Sequence, residues 1–516
     1  MIFPINKTVN RKLIAKFPTF MFPRSTRKVR PPDGVAIAVA PDNIQYMDEN
    51  DATLIGDSRL WLPVIRKGDG PLYLAVADAI GAAIASGELR DNARLPPLRT
   101  LASALGVDYT TISRAYAEAA RRGHVVGRVG QGTFVRRARP APLSQYAAVP
   151  ADLGMNIPPR FDDPKLTARM WRGVAGLEES GGLDLLLRYQ APGGIAADRA
   201  SGLRWLSPRL PSVSIERVLV CPGAQGAMLG VASVLTEPGD MVFAEALTYP
   251  GFRALAARLR LRVHGIPMDD EGLDPGAFDA ACRQEKPKLL YCTPTLHNPT
   301  TATMSLRRRE AIVEVARRRG VPIIEDDAYG PLPTTALPPL AALAPELTYY
   351  VGGLAKTLSP ALRIAYLVTP DTRGTARVSG AIRATATMAS PLGAAIATRW
   401  IDDGTADAVL AAIRAETHAR QAIAAAILPA DAIRTDAGAF HLWLTLETPW
   451  TRGEFASRLR AAGIGIVTSD AFAVTNPPEA VRLGLGAAAT RASLTEGLRI
   501  IADLLEQSPA MSSIIV

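Results

Sequence analysis

Cysteine is scarce in this chain, and its scarcity argues against several classes of protein. Three cysteines, Cys221, Cys282 and Cys292, occur in 516 residues. Their odd number and their spacing are typical neither of a disulfide framework nor of a metal site. We interpret them as reduced core residues of a cytoplasmic protein, and we expect no bound metal.

Long apolar runs are also missing. Hydrophobic residues make up 48% of the sequence, yet no run approaches the roughly 18 apolar residues that cross a membrane. The N-terminal stretch lacks the continuous apolar segment and small-residue cleavage site of a secretory signal. The composition therefore predicts globular domains in the cytoplasm with no membrane partner.

Acidic residues are under-represented only at the N-terminal end. Through Arg139 the chain has 21 Lys and Arg against 12 Asp and Glu, a net charge of +9. The remaining 37 basic and 37 acidic residues cancel, so this first quarter carries the whole excess. A local basic excess of this kind is typical of a polyanion-binding region.

Residues 1–58 show little pattern beyond eight basic residues that precede the first acid, Asp33. We predict a disordered basic extension here. Two alternatives remain open: a basic arm that touches DNA phosphates, or an over-extended start with Met47 as the true first residue.

The sequence from 69 to 137 predicts a small, mostly helical domain. Apolar residues recur at helical spacing in two segments, which end at Gly87 and Gly106. These residues are Leu72, Val76, Ile80 and Ile84, followed by Leu98, Leu101 and Leu105. Asp108 is a plausible N-cap for a third helix through Arg122.

On the third helix we expect one face in the core and the other in solvent. The inward residues are Ile112, Ala115, Tyr116 and Ala119, and the outward ones are Tyr109, Thr110, Ser113 and Arg114. The stretch 124–135 then predicts a hairpin whose tip is Gly130-Gln131-Gly132. A third helix with a polar outer face can enter a DNA groove, and a basic hairpin beside it can act as a wing.

The order helix, Arg-Leu-Pro-Pro-Leu-Arg (94–99), helix, turn, helix and Gly-x-Gly hairpin resembles the winged helix-turn-helix domain of the GntR regulator family. The resemblance implies that double-stranded DNA is a partner, contacted by Arg99, by Arg114 and by Gln131, Gly132 and Thr133. The outer-face residues Tyr109, Thr110 and Ser113 join this set. The alternative is an interaction module that does not bind DNA.

We interpret 138–154 as a linker, 155–508 as a second domain and 509–516 as a tail. In the second domain strand candidates alternate with helical stretches such as 252–261 and 306–319. The strand candidates are 217–221, 241–244, 289–292, 321–324, 349–351 and 364–368. Alternation of this kind predicts an α/β fold with a mostly parallel sheet covered on both faces.

Chemistry-bearing residues follow several of these strands, where ligands of such sheets bind. They are Ala224 and Gln225, Tyr249, Asn298, Asp326 and Tyr329, Lys356 and Arg363. A lysine can form a Schiff base with an aldehyde cofactor, and a carboxylate can keep a pyridine nitrogen protonated. Lys356 and Asp326 together therefore point to pyridoxal 5'-phosphate (PLP). Arg482 lies in an apolar run near the C-terminal end and could bind a ligand carboxylate.

In this order and spacing the motifs of 155–508 resemble the fold-type I aminotransferase domain. Behind a GntR-like head, the chain from about residue 60 resembles the MocR subfamily of bacterial transcriptional regulators. The expected architecture is thus multidomain, a small winged helix-turn-helix domain followed by a large α/β PLP-binding domain.

The resemblance implies a role for each matching residue. Lys356 should form the internal aldimine, Asp326 should pair with the pyridine nitrogen, and Tyr249 should stack on the ring. Tyr329 and Asn298 should bind the phenolic oxygen, while the phosphate falls to Arg363, Ala224 and Gln225. Tyr189 matches the tyrosine that reaches the partner subunit's phosphate, which implies a homodimer, and Arg482 matches the arginine that binds a substrate carboxylate.

The sequence departs from the family pattern at three places. Two usual serines are Gly353 and Ala355, which removes two hydroxyl donors to the phosphate. A usual glycine is Thr301, and a usual Leu-Arg pair is Asp198-Arg199. We still expect PLP to bind, more weakly.

Three interpretations follow. In the first, the protein is a transcriptional regulator that senses an amine or amino acid through external aldimine formation at Lys356. In the second, it is a genuine PLP-dependent aminotransferase with an accessory DNA-binding head. In the third, it is a PLP-free dimerisation scaffold. The basic head favours the first, and the complete set of cofactor residues argues against the third.

Overall fold

The computed structural model describes residues 61–63, 71–86, 88–90, 92–122, 124–128, 132–135 and 151–507. The chain divides into two compact units, residues 1–145 and 146–516. This boundary lies within the segment 138–154 that we expected to be a linker. The predicted extension 1–58 and the tail 509–516 lie outside the described residues.

The described part of the first unit consists of helices followed by a hairpin. The elements are α1 (Leu72–Ala85), α2 (Leu98–Leu105), α3 (Tyr109–Arg121), β1 (Val125–Arg128) and β2 (Gly132–Val135). Gly106 ends α2 in the left-handed region at φ 63°, a conformation that glycine adopts without steric cost. Asp108 caps α3, since its carboxylate accepts the backbone N–H of Thr110.

The core of this unit follows the predicted apolar faces. On α3 the buried residues are Ile112, Ala115, Tyr116 and Ala119, all four as expected. Val76, Ile80 and Leu101 are fully buried against them. Leu72 belongs to the apolar stripe of α1 but is 41% exposed in the first turn of that helix. Periodicity gives the buried face of a helix, but not how far its neighbours extend along it.

The second unit alternates helices and strands, as the sequence predicted. Its helices are α4 (Pro164–Ala175), α5 (Leu177–Leu187), α6 (Ala196–Leu206), α7 (Gly223–Leu235), α8 (Pro250–Arg258), α9 (Pro275–Gln284), α10 (Leu306–Arg319), α11 (Leu340–Leu343), α12 (Thr372–Ala386), α13 (Pro391–Asp402), α14 (Thr405–Ile427), α15 (Arg452–Ala461) and α16 (Arg491–Leu505). Its strands are β3 (Ala151–Asp152), β4 (Val218–Cys221), β5 (Met241–Glu245), β6 (Arg262–Ile266), β7 (Met268–Asp269), β8 (Gly272–Leu273), β9 (Leu290–Cys292), β10 (Ile323–Asp326), β11 (Thr348–Gly353), β12 (Ala365–Val368), β13 (Ile433–Arg434), β14 (His441–Thr445), β15 (Ile464–Gly465), β16 (Val467–Thr468) and β17 (Ala480–Gly484).

Within 151–507 the largest sheet has the strand order β4-β12-β11-β10-β9-β5-β6. The pairs from β11 to β6 are parallel, whereas β12 runs antiparallel to both β4 and β11. Strands β4, β9, β10, β11 and β12 are buried along their whole length, which is typical of a sheet covered by helices on both faces. The predicted mostly parallel sheet is confirmed.

This topology gathers strand ends that are far apart in sequence. Strands β9, β10 and β11 are neighbours, so the segments that leave their C-terminal ends start at one edge of the sheet. Asp326 is the last residue of β10, and Lys356 follows the end of β11 by three residues. Parallel pairing thereby places the two predicted residues on adjacent strand ends.

A second, antiparallel sheet has the order β13-β14-β17-β16 and carries Arg482 on β17. Its apolar residues, among them Leu442, Leu444, Val481 and Leu483, share a buried cluster with Leu494, Leu498 and Ile501 of α16. This cluster fixes β17, and with it the backbone position of the buried arginine.

The described residues include neither a membrane-spanning helix nor a metal-binding group of side chains. None of the helices in those residues is both long and apolar enough to cross a bilayer. The same residues contain no group of His, Cys, Asp and Glu side chains that could hold a metal ion.

Candidate functional site

Lys356 lies in the turn that follows β11 and is partly buried. Its Nζ donates to the backbone oxygen of Asn156. Burial and the positive charges of Arg482 and Arg363 together lower the pKa of Lys356 to about 8, against the opposing effect of the negative charge of Asp326. A lysine with this pKa is partly neutral near neutral pH, so its amine can act as a nucleophile.

Asp326 is buried at the end of β10, with 6% of its surface exposed. Its Oδ2 accepts from the Tyr291 hydroxyl at 2.9 Å, while Oδ1 has no partner among the described residues. Burial raises the pKa of Asp326 to about 6, and the Tyr291 hydrogen bond and the charge of Lys356 act against this rise. The carboxyl is therefore mostly ionised at pH 7, with one oxygen available to a donor.

Asn156 connects Lys356 to Tyr329. Its Nδ2 donates to the Tyr329 hydroxyl at 2.9 Å, while its backbone oxygen accepts from Lys356. The Tyr329 ring is buried against the rings of Phe440 and His441, with centroid separations of 5.8 and 5.6 Å. Asn156 belongs to the site although no sequence motif singles it out.

Arg482 and Asn298 are in direct contact. Arg482 Nη1 donates to Asn298 Oδ1 at 3.1 Å, and Nη2 donates to the backbone oxygen of Gly154. Arg482 Nε is buried and has no partner among the described residues. The guanidinium carbon lies 5.2 Å from the ring centre of Phe472. The arginine is thus oriented on three sides, and no carboxylate of the described chain lies within ion-pair distance of it.

Arg363 lies beside the N-terminal end of α7. A Cβ built on Gly223, the first residue of that helix, would be 3.6 Å from Arg363 Nη2. Ala224 and Gln225 follow in the first turn, where backbone N–H groups lack helical acceptors. Arg363 is exposed, and no ion-pair partner for it occurs among the described residues. A guanidinium beside a helix N-terminus is a suitable environment for a phosphate.

Tyr249 is partly buried directly before α8. A Cβ on Gly251 would be 2.3 Å from Tyr249 Cε1 and 2.1 Å from Gln225 Nε2, so only glycine allows this approach. Burial raises the pKa of Tyr249, Asp326 adds to the rise, and a hydrogen bond with Gln225 opposes it. The negative charge of Asp326 therefore acts on the hydroxyl group of Tyr249.

These residues fit PLP, the cofactor that the sequence motifs predict. Asp326 has a free buried carboxylate oxygen for a pyridine nitrogen, and Lys356 has an amine of lowered pKa for the aldehyde. Arg363 and the first turn of α7 would hold the phosphate, and Tyr249, Tyr329 and Asn298 would hold the ring. When bound, the cofactor supplies an electron sink for an amine substrate.

Tyr189 differs from the buried residues of this site in its exposure to solvent, which is 85%. Such exposure of an aromatic ring is consistent with a partner subunit. Asp198, where the family has leucine, is 3% exposed and accepts from Thr398 Oγ1 at 2.6 Å. Thr301, where the family has glycine, adopts φ 63°, a conformation that is strained for a β-branched residue.

In the first unit the predicted DNA contacts lie on the exposed side. Arg99, Tyr109, Thr110 and Arg114 are exposed, and Ser113 is half-buried. The guanidinium carbon of Arg114 lies 4.4 Å from the ring centre of Tyr73 on α1. Gln131 lies outside the described residues, while Gly132 and Thr133 begin β2.

Arg94 is a further basic residue at the hairpin, and the sequence did not single it out. Its backbone bridges to Phe134, and Leu95 N–H donates to Thr133 O at 2.8 Å. A Cβ on Gly132 would be 2.9 Å from Arg94 Nε, so glycine is required there for the close approach and for its φ of 112°. Arg94 is exposed at the hairpin without an ion-pair partner among the described residues, whereas Arg121 and Arg122 are paired with Glu118.

From the lowered pKa of Lys356 we predict how the rate of covalent PLP capture depends on pH. Because only the neutral amine reacts, the rate of covalent PLP capture by cofactor-free protein should rise about tenfold per pH unit below about pH 8 and then level off. Stopped-flow absorbance measures this rate. Arg482→Gln removes a positive charge that lowers the pKa of Lys356, so its plateau should begin at higher pH. A wild-type rate that still rises tenfold from about pH 9 to about pH 10, as for an ordinary lysine, contradicts the prediction.

Each of the two units matches a known protein family. Residues 172–501 match the family described as aminotransferase class I and II, and residues 72–135 match bacterial regulatory proteins of the gntR family. The expected pairing of a winged helix-turn-helix with an aminotransferase-like domain is confirmed.

The chain is also similar to individual proteins of both kinds, named regulators and a solved aminotransferase. The chain is 27% identical over 460 residues to the uncharacterized HTH-type transcriptional regulator YdeF of Bacillus subtilis. The alignment covers 86% of this chain and 97% of that protein. It is 24% identical over 337 residues to the probable rhizopine catabolism regulatory protein MocR of Rhizobium meliloti, covering 59% of this chain and 66% of that one. The solved α-aminoadipate aminotransferase LysN of Thermus thermophilus, complexed with N-(5'-phosphopyridoxyl)-L-leucine, aligns with a TM-score of 0.62 at 23% identity over 71% of this chain and 93% of its own.

Proposed function

The chain belongs to the aminotransferase class I and II family and carries a gntR-family domain, and from this we propose that it is a PLP-dependent, DNA-binding transcriptional regulator. Its effector would be a small amino compound. The amino group of the effector competes with the ε-amino group of Lys356 at the cofactor site.

One observation carries the proposal. The same chain holds a lysine of lowered pKa near a buried aspartate with a free oxygen, and a helical unit with unpaired arginines on its exposed side. The first feature captures amines through an aldehyde cofactor. The second serves a polyanion such as DNA. A regulator uses both features, whereas a metabolic enzyme has no use for the second.

Arg482 suggests the chemical class of the effector. Its buried Nε–H lacks an acceptor, and Asn298 and Gly154 already orient the group. A planar guanidinium held in this way suits a carboxylate or sulfonate, which it can bind through two parallel hydrogen bonds. We therefore expect an amino acid or amino sulfonate rather than a simple amine.

We also propose that the protein is a homodimer. Tyr189 is 85% exposed, and α5, which precedes it, exposes Leu183, Leu186 and Leu187 at 62–69%. Clustered apolar exposure of this kind commonly marks a protein–protein interface. Two copies would also bring two DNA-binding units to paired half-sites. Sedimentation velocity measures the state, and a monomer at micromolar concentration would contradict this part.

The second candidate is a PLP-dependent aminotransferase. The presence of Lys356, Asp326, Tyr329 and Arg482 in one connected site favours it, because capture of an amine and its conversion need the same residues. Turnover distinguishes the two candidates.

The regulator proposal predicts that single arginines control DNA affinity. Arg99→Ala and Arg114→Ala should each weaken binding to the promoter region of the protein's own gene, with the cofactor absorbance unchanged. A base contact is worth roughly 1–3 kcal/mol and its loss relaxes specificity, whereas a lost phosphate contact reduces the salt slope by about one. Fluorescence anisotropy at several salt concentrations measures both quantities.

Arg121→Ala provides the matched control. Arg121 is exposed on the same helix, but Glu118 already pairs with it at 2.7 Å. Its removal should leave DNA affinity within about twofold. Unchanged affinity in both the Arg99 and Arg114 variants would rule out the assigned DNA-binding face.

A further inference from the structure

Two adjoining cavities lie away from the predicted cofactor residues, along the loop 330–337. Their volumes are about 320 and 480 Å³, within the range of small-molecule sites when taken together. Both are lined by Arg209, Pro333, Thr334 and Ala336. Neither the family resemblance nor the proposed function gives them a role.

Arg209 is the shared charged group of the two walls, and it is only partly satisfied. It is 8% exposed. Its Nε donates to Asp327 Oδ2 at 2.6 Å and its Nη1 to Gly330 O at 3.1 Å. Its Nη2 is buried and lacks a partner among the described residues. A buried donor without an acceptor is costly, and a ligand oxygen would remove that cost.

Two further arginines in the walls bind only neutral oxygens. Arg309, fully buried, lines the smaller cavity, and Arg414, partly buried, lines the larger one. Their acceptors are the backbone oxygens of Met304, Pro338 and Pro294 with the hydroxyl of Thr295 for Arg309, and those of Pro331 and Leu332 for Arg414. Among the described residues no carboxylate lies within ion-pair distance of either, so their charges lack a direct counter-ion.

The carboxylates around the cavities are already engaged or stand at the rim. Asp327 pairs with Arg209, and Asp436 accepts the backbone N–H of Gly438 at 2.7 Å. Asp407 is exposed in the first turn of α14. The walls thus present guanidinium groups, together with the hydroxyls of Thr295, Thr303, Thr334 and Thr335. Guanidinium and hydroxyl donors are the groups that bind oxyanions.

We propose that these cavities form a binding site for a small oxyanion, a phosphate or carboxylate group held by Arg209, Arg309 and Arg414. The site is distinct from the place of the cofactor phosphate at Arg363. It does not depend on the proposed regulatory function, because it rests on the second unit alone.

The site would be coupled to the cofactor residues through two short connections. Arg209 holds Asp327, which directly follows Asp326. Arg309 donates to Pro294 O and to Thr295 Oγ1, at the start of the segment that carries Asn298. An anion that draws on either arginine therefore changes the support of a residue in the cofactor site.

Isothermal titration of the full chain with inorganic phosphate tests the proposal. The protein is first saturated with PLP, so that Arg363 is occupied, and chloride keeps the ionic strength constant. We expect saturable binding of one equivalent per chain. Arg414→Gln should weaken it about tenfold or more, since a charged donor is lost. Arg217→Gln is the matched control, because Arg217 is also partly buried and binds two backbone oxygens, of Thr369 and Pro345, but does not line the cavities.

A second variant tests the proposal independently in case Arg414→Gln does not fold. Arg209→Lys keeps a positive charge beside Asp327 but removes the unpartnered Nη2, and it should also weaken phosphate binding. Thermal unfolding checks that each variant is folded. Absence of saturable phosphate binding in the wild type would overturn the proposal, as would wild-type affinity in both Arg414→Gln and Arg209→Lys. Loss of DNA or effector binding bears on the regulatory function and leaves this result unaffected.

Discussion

Replacing Lys356 with alanine should abolish covalent attachment of PLP to the protein. Wild-type protein incubated with PLP should turn yellow, and hydride reduction should add the cofactor mass to the peptide that contains Lys356. The variant should show neither change. Its fold should survive, because the side chain makes one hydrogen bond, to Asn156 O, and its partly buried charge is itself unfavourable. Absorbance and peptide mass spectrometry measure the outcome.

Lys165→Ala is the control for non-specific labelling. Lys165 is an exposed lysine in the first turn of α4, so this variant should be labelled at Lys356 as the wild type is. Asp326→Asn should keep the lysine but weaken cofactor retention, because it removes the carboxylate that we expect to pair with the pyridine nitrogen. A wild-type protein that stays colourless with excess PLP would favour the PLP-free dimerisation scaffold.

The strand-end residues could be predicted from sequence because each depends on a local signal. Asp326 and Lys356 both follow apolar runs that read as buried strands, and parallel sheets bring such ends to one edge. The helix faces of the first unit were equally local, since the apolar period alone selects Ile112 and Tyr116 as buried. Where a side chain's environment is set within its own element, the sequence is sufficient.

The rest depends on which elements become neighbours, and this is not encoded locally. Tyr291 reaches Asp326 because β9 pairs with β10 in one particular register, Tyr291 opposite Ile324. Asn156 reaches Lys356 across 200 residues of sequence. The insertion of β12 between β4 and β11 is also invisible in a pattern of alternating helices and strands. Partners of this kind are determined by tertiary packing. A single sequence therefore predicts Asp326 and Lys356 but not the residues that form hydrogen bonds with them.

With an amino acid effector and a keto acid acceptor, steady transamination should be slow or absent. Ordinary enzymes turn over at about 1–1000 per second, and we expect a rate far below this range. Addition of the effector should nevertheless change the cofactor spectrum, because we propose that the effector's amino group displaces that of Lys356. Stopped-flow absorbance detects binding, and a coupled assay of keto-acid formation measures turnover.

The expected reason is weaker anchoring of the cofactor phosphate. Gly353 and Ala355 stand where the family has serines, so two hydroxyl donors are missing beside the first turn of α7. A Cβ at position 353 would lie 3.4 Å from the Ala224 Cβ, so the site accommodates a Cβ atom there. Catalysis needs the reacting atoms held in tight geometry, whereas capture of a ligand tolerates more freedom. A sensor also benefits from a long-lived bound state, since its ligand acts only through differential affinity for two conformations.

Restoring the hydroxyls separates anchoring from chemistry. Gly353→Ser with Ala355→Ser should tighten PLP binding by about five- to 150-fold, the equivalent of roughly 1–3 kcal/mol for two neutral hydrogen bonds. If loose anchoring limits turnover, the double variant should also transaminate faster than the wild type, while Gly380→Ser, on the exposed side of α12 with open space around its Cβ position, should change neither property. Steady wild-type turnover within the ordinary enzyme range, with any amino donor, would identify the protein as an aminotransferase, because a site that already releases product rapidly cannot hold its effector long enough to report it.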